Sequence, residues 1–123
     1  MSSENPIIRF FTWWNGAMAD PDQLQAEGFA KHFTDSCELI VNGNVRATDH
    51  AALAVHYRAI ADRLDVVQMV LPVEHEFSTD ANAFVHCRTR AVLGDKESAE
   101  EAMAYAIVEG GRIRRLRVVS LSV

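Results

Sequence analysis

Residues 48–77 read TDHAALAVHYRAIADRLDVVQMVLPVEHEF, and a change of period inside this stretch decides the fold class. Leu53, Tyr57, Ile60 and Leu64 fall at i, i+4, i+7 and i+11, with Arg58 and Asp62 on the opposite side. The first half therefore reads as an amphipathic helix, capped by Thr48 or Asp49. From Asp65 onward the period is two: Val67, Met69, Leu71, Val73, His75 and Phe77 alternate with Val66, Gln68, Val70, Pro72, Glu74 and Glu76. The second half is a strand, and Pro72 marks an edge position or a bulge because proline cannot donate to a ladder.

Upstream, Asn5-Pro6 is an N-cap residue followed by proline at the first helical position, and Ile7, Phe10, Phe11, Trp14, Ala17 and Met18 recur at helical spacing. A first helix of about three turns follows. Asp20-Pro21-Asp22 interrupts it, and Leu24, Gly28, Phe29, His32 and Phe33 predict a second, shorter helix ending before Asp35-Ser36. Residues 37–41 read as a short strand closed by the turn Asn42-Gly43-Asn44. Downstream of the quoted stretch, turns at Ser78-Thr79-Asp80 and Gly94-Asp95-Lys96-Glu97 bracket a long strand over 84–93. A further strand over 102–108 and a hairpin at Glu109-Gly110-Gly111 lead into a last strand over 112–123. Three helices with one short strand between them, then an antiparallel meander of four strands, define an α+β chain. No repeat or linker divides it, so residues 1–123 are expected to form a single domain.

A chain of 123 residues that is 49% hydrophobic can build one core without a disulfide or structural metal. The net charge of −5 gives nucleic acid or an anionic membrane surface no electrostatic hold. Cys37 and Cys87 are far apart and outside any CxxC pairing, as expected of reduced, packed thiols. No leader-like segment and no apolar run of about 18 residues is present, so the expected location is cytoplasmic, away from membranes.

The helix–strand order, the segment Gly43-…-Thr48-Asp49-His50-Ala51-Ala52-Leu53-Ala54-Val55-His56-Tyr57-Arg58 and the hairpin Gly110-Gly111-Arg112-Ile113 resemble the nuclear transport factor 2-like superfamily, in its SnoaL-like, polyketide cyclase and ketosteroid isomerase branch. The resemblance covers nearly the whole chain. It implies a cone-shaped roll of three N-terminal helices packed on a curved, mainly antiparallel sheet, an apolar pocket inside the curve, and homodimers paired through the sheet's outer face. That outer face is expected here at Val85, Cys87, Ala91 and Val119. The resemblance also argues against steroid isomerisation itself. The general-base aspartate of ketosteroid isomerases falls at Ile40 or Val41, the protonated aspartate at Met103, and the oxyanion tyrosine near Thr12 or Trp14; the supporting tyrosine alone is matched, by Tyr57.

Transferring the superfamily's sheet geometry puts Phe84, His86, Arg88 and Arg90 on one face of their strand, taken as the concave one. On that basis His86 is the candidate proton shuttle and Tyr57 the group that stabilises a developing oxyanion, with Trp14, Arg88, Met103, Tyr105, Leu116 and Val118 as ligand-binding residues. Each has a plainer alternative: a hydrogen-bonded surface or interface His86, an Arg88 paired with an acid such as Glu101, a Tyr57 packed in the core with one hydrogen bond. His50 and His56, each about 60° off the stripe of the third helix, could both face the pocket rim. Trp13 is left for a pocket mouth or a subunit contact, and Arg112, Arg114, Arg115 and Arg117 for ion pairs or dimer contacts. No metal-ligand spacing is present, Glu74-His75-Glu76 being divided by strand alternation, and no G-x-S-x-G, P-loop or G-x-G-x-x-G motif occurs. The expected activity is a cofactor-free isomerase, cyclase or dehydratase moving a proton on a small apolar or aromatic carbonyl compound. The alternative is a non-catalytic ligand-binding or assembly module.

Overall fold

Asn5 starts the first helix and ties it to the sheet in the computed structural model, which describes residues 5–123. Its Oδ1 accepts from Ile7 N at 2.9 Å, capping α1 (Pro6–Ala19). Its Nδ2 donates to the carbonyl oxygens of Phe77 and Phe84, both at 3.2 Å. The α1 stripe of Ile7, Phe10, Phe11, Trp14, Ala17 and Met18 is buried as the spacing predicts. Near its C-terminal end Asn15 exchanges two hydrogen bonds with Met69, donating to its carbonyl at 3.0 Å and accepting from its N–H at 2.7 Å. Both ends of α1 are thus pinned by asparagines.

The predicted second helix is only partly realised. A 3-10 turn (Pro21–Gln23) and a single five-residue helix, α2 (Ala26–Ala30), replace it, and β1 (Phe33–Val41) begins four residues earlier than expected at Cys37. Phe33 leaves the helical pattern because it pairs with Ile113 of β7 (Arg112–Ser122), where ladder hydrogen bonds and full burial outweigh local periodicity. Asn42 and Gly43, both left-handed with φ of 49° and 86°, reverse the chain into β2 (Asn44–Ala47), a strand the sequence reading omits. Asp49 then accepts from Ala52 N at 2.7 Å and caps α3 (His50–Arg63).

The period-two stretch is divided. β3 (Val66–Met69) and β4 (His75–Ser78) both pair antiparallel with β5 (Asn82–Leu93), separated by the segment holding Pro72. β5, β6 (Lys96–Glu109) and β7 form the expected meander. The seven-stranded sheet runs β2-β1-β7-β6-β5-β3, with β4 also on β5, and only the β1–β7 pairing is parallel. Its helix-facing side carries Ala83, Val85, Ala104, Ala106, Ile113 and Leu116, all buried, against α1 and the rings of Phe29 and Phe33. The architecture is α+β, three helices on a mixed, mainly antiparallel sheet.

Candidate functional site

The concave side of the sheet grades from core to open cavity along register-matched rows. Ala83, Ala106 and Leu116 form one row, Val85, Ala104 and Val118 the next, then Cys87, Ala102 and Ser120, then Thr89, Glu100 and Ser122. The first row is sealed by α1. Further along, β6 offers only the methyl groups of Ala102 and Ala104, and these small side chains leave space between the sheet and the helices. The result is a cavity of about 480 Å³, walled by Phe11 and Trp14 of α1, by Tyr57, Ile60 and Leu64 at α3, and by Val67 and Met69 of β3. Its rim adds Asn42, His56, Arg63, Ser98 and Glu100.

Two aromatic residues that carry a polar hydrogen, Trp14 and Tyr57, line this apolar space. Trp14 is 4% exposed, and its Nε1–H is buried without a hydrogen-bond partner among the described residues. Tyr57 stands edge-on to Trp14 with ring centroids 5.9 Å apart and stacks on Phe29 at 5.7 Å. Its hydroxyl likewise has no partner among the described residues, and burial holds its pKa well above the usual tyrosine range, so it stays a donor. Next in sequence, His56 lies edge-on to Tyr57 at 4.8 Å. Burial, then the charges of Arg46 and Arg63, hold its pKa below the ordinary imidazole value. Cys87 on the floor is pushed up to about 11 by burial and by the charge of Glu74, and its Sγ donates to Ala102 O at 3.7 Å; it is a packed thiol, not a nucleophile.

The residues singled out from sequence separate accordingly. Trp14, Tyr57 and Val118 line the cavity, and Leu116 lies on the same face but in the sealed core. His86, Arg88, Met103 and Tyr105 do not reach the cavity; they stand on the opposite, convex face. The parity of β5 is the reverse of the one expected, so Val85, Cys87 and Ala91 point inward and cannot form an outer face. Alternation itself carried the signal: the set Ala83, Val85, Cys87 and Ala91 is small and uniformly apolar, while its complement holds His86, Arg88 and Arg90. The pairing of Met103 with a catalytic aspartate position fails with the same parity.

On the convex face His86 Nε2 lies 2.6 Å from Glu101 Oε2, and His75 stacks on His86 with centroids 5.8 Å apart. Arg88 pairs with Glu74 at 3.1 Å rather than with Glu101, and Tyr105 Oη accepts from Asn82 Nδ2 at 2.6 Å. His50 does not face the rim: its Nε2 sits 2.9 Å from Thr34 O and 3.1 Å from Phe33 O. Trp13 packs on Phe29 and His32 at 5.0 and 5.2 Å, between α1 and α2. Arg114 and Arg115 pair with Glu109 and Glu38, and Arg112 donates to Ala30 O and Phe33 O. Among the described residues no three His, Cys, Asp or Glu side chains are grouped as metal ligands, and no helix is long and apolar enough to cross a membrane.

No family model and no curated protein matches this chain by sequence. Solved structures do. An NTF2-like protein of unknown function from Exiguobacterium sp. 255-15 superposes with a TM-score of 0.76 at 13% identity, over 94% of this chain and 98% of that one. The chain has the nuclear transport factor 2-like fold. IdmH from Streptomyces antibioticus, proposed to be a polyketide cyclase, shares this NTF2-like fold with a TM-score of 0.70 at 12% identity over 95% and 92% of the two chains. An LEH-like epoxide hydrolase from M. tuberculosis aligns with a TM-score of 0.67 at 16% identity, covering 94% and 83%. At these identities the likeness is one of NTF2-like fold, and the chemistry has to be argued from the site.

Proposed function

We propose that the cavity binds a small, mostly apolar or aromatic molecule, sets its carbonyl oxygen against Trp14 Nε1 and Tyr57 Oη, and supports proton transfer on it without a cofactor. The observation that carries this reading is a cavity of about 480 Å³ lined by Tyr57, whose protonated hydroxyl has no partner among the described residues, and by Trp14, whose indole N–H is buried without one. A buried donor without an acceptor costs about 1–3 kcal/mol, a cost that a ligand oxygen removes. The volume falls in the range of small-molecule sites. Two donors on one oxygen also stabilise negative charge developing there, which binds a transition state better than a ground state. Solved structures of this fold include proteins named for polyketide cyclisation and epoxide hydrolysis, in keeping with a small-molecule site.

The test uses a bicyclic ketone, 2-tetralone, as probe, alongside native mass spectrometry for a molecule retained from the host. Calorimetry is expected to detect binding, weakened about tenfold by Trp14→Phe, while the melting temperature is unchanged or raised because an orphan donor has gone. Equal binding by the variant would remove the donor role. The non-catalytic reading keeps one specific support: the only carboxylate on the cavity among the described residues is Glu100, exposed at the rim. Homodimerisation through the convex face belongs to the same proposal, now resting on exposed Met103, Tyr105, Val119 and Leu121. A cytoplasmic location is supported by Cys37 and Cys87, both free and buried.

A further inference from the structure

We propose that His56 is the proton-carrying group of this site, an assignment that rests on the carbonyl-binding reading above and goes beyond it. The five histidines of the chain sort by what their rings touch. His50 is held by the carbonyls of Phe33 and Thr34. His86 is committed to Glu101 and His75 stacks on it, both behind the sheet. His32 is enclosed by Phe10 and Trp13, away from the cavity. Only His56 lines the cavity, and its ring has no hydrogen-bond partner among the described residues.

Its position relative to the donors suits the step. His56 and Tyr57 are consecutive on α3, their rings are in edge-to-face contact and both line the cavity, so a carbonyl compound held at the Tyr57 hydroxyl has the imidazole on the same wall. The imidazole takes a proton from that carbon as the C–H bond breaks. The electron pair forms the carbon–carbon double bond of an enolate, and the carbonyl oxygen takes the negative charge against the indole N–H and the phenol O–H. The imidazolium then returns the proton, either to a different carbon, giving an isomer, or to a departing hydroxyl, giving an elimination. Arg46 of β2 and Arg63 of α3 face this histidine, and with burial they keep it unprotonated near neutrality and disfavour the imidazolium, which drives return of the proton. Glu100 of β6 and the Tyr57 hydroxyl are the other titratable groups on the same cavity beside Cys87, whose thiol is held protonated.

The experiment follows deuterium uptake into 2-tetralone in D2O by mass spectrometry, with calorimetric binding measured in parallel. Wild-type protein is expected to accelerate exchange, His56→Gln to lower the protein-dependent rate about 100-fold with binding kept within about twofold, and added imidazole to restore part of the rate to His56→Ala. The wild-type rate is expected to be flat above pH 6.5 and to fall below it as His56 is protonated, a fall absent from His56→Gln. His86→Gln, altered behind the sheet, is expected to keep the wild-type rate. Exchange that survives His56→Gln overturns this assignment and leaves the carbonyl site standing; binding of the ketone with no exchange by wild type overturns both the assignment and the proton-transfer reading.

Discussion

Residue by residue, the polar groups buried in this protein divide into those with partners and those without. Asn5 and Asn15 find backbone partners for both their amide nitrogen and their amide oxygen, and each fastens one end of α1. His32 is the contrary case. It is 9% exposed, its Nδ1 has no partner among the described residues, and burial, then Arg9 and Lys31, lower its pKa from 6.5. Because the folded value lies below the unfolded one, the neutral form is favoured in the fold. The associated stability is complete above pH 6.5 and is lost as pH falls from there through the folded value. Urea midpoints measured from pH 7.5 to 4.5 should therefore decline more steeply for wild type than for His32→Phe; parallel declines would show that His32 contributes nothing to acid sensitivity. The spacing that placed His32 on a helix gave no hint of this, since its ring environment is made by Trp13 and Phe10 from another element.

At the scale of elements, α1 and α3 were legible because cap, period and burial agree: Asn5-Pro6 and Asp49 stand at the N-termini, and the apolar stripe is buried along α1 and at Leu53 and Tyr57 of α3, while Ile60 and Leu64 are half-buried beside the cavity. The strands were legible in extent and less so in facing. β5 has two plausible faces, and inherited sheet geometry favoured the wrong one, although the small apolar set on β5 and the alanines of β6 pointed inward. The start of β1 and the whole of β2 escaped because parallel pairing with β7 and a four-residue hairpin arm depend on partners distant in sequence or on very short runs. The alanines of β6 also make the cavity, which gives a direct test. Ala102→Leu puts a branched side chain on the floor beside Cys87 and should abolish 2-tetralone binding in calorimetry, with the urea midpoint unchanged or higher because empty space is filled. A large loss of stability instead would mean the floor has no room, and the cavity volume would have to be revised.

For the whole molecule, the sheet has one face for the helices and cavity and one that meets solvent. The latter carries Met103, Tyr105, Val119 and Leu121, exposed by 51, 44, 54 and 68%, beside the stacked Phe77 and Phe84. Contiguous apolar side chains on a sheet face are seldom left in water. Analytical ultracentrifugation at about 10 µM should give a dimer, and Val119→Lys with Leu121→Lys should give a folded monomer, each reflecting the desolvation that a charged replacement forbids. A monomeric wild type would remove the dimer from the proposal.

The parallel pairing of β1 with β7 has a consequence in time. Phe33 meets Ile113, and Val41 meets Val118, so β1, which has β2 on one edge, finds the neighbour for its other edge only in residues 112–122. A ribosome that has released residues 5–100 has delivered both asparagine clamps, Trp14, Tyr57 and the β1–β2 hairpin, but neither the β7 edge on which β1 lies nor Val118 and Ser120, which line the cavity. Contacts so far apart in sequence slow folding and leave the concave rows open until β7 pairs with β6. The cavity is therefore complete only after residues 112–122 have left the ribosome, however early its helices are made.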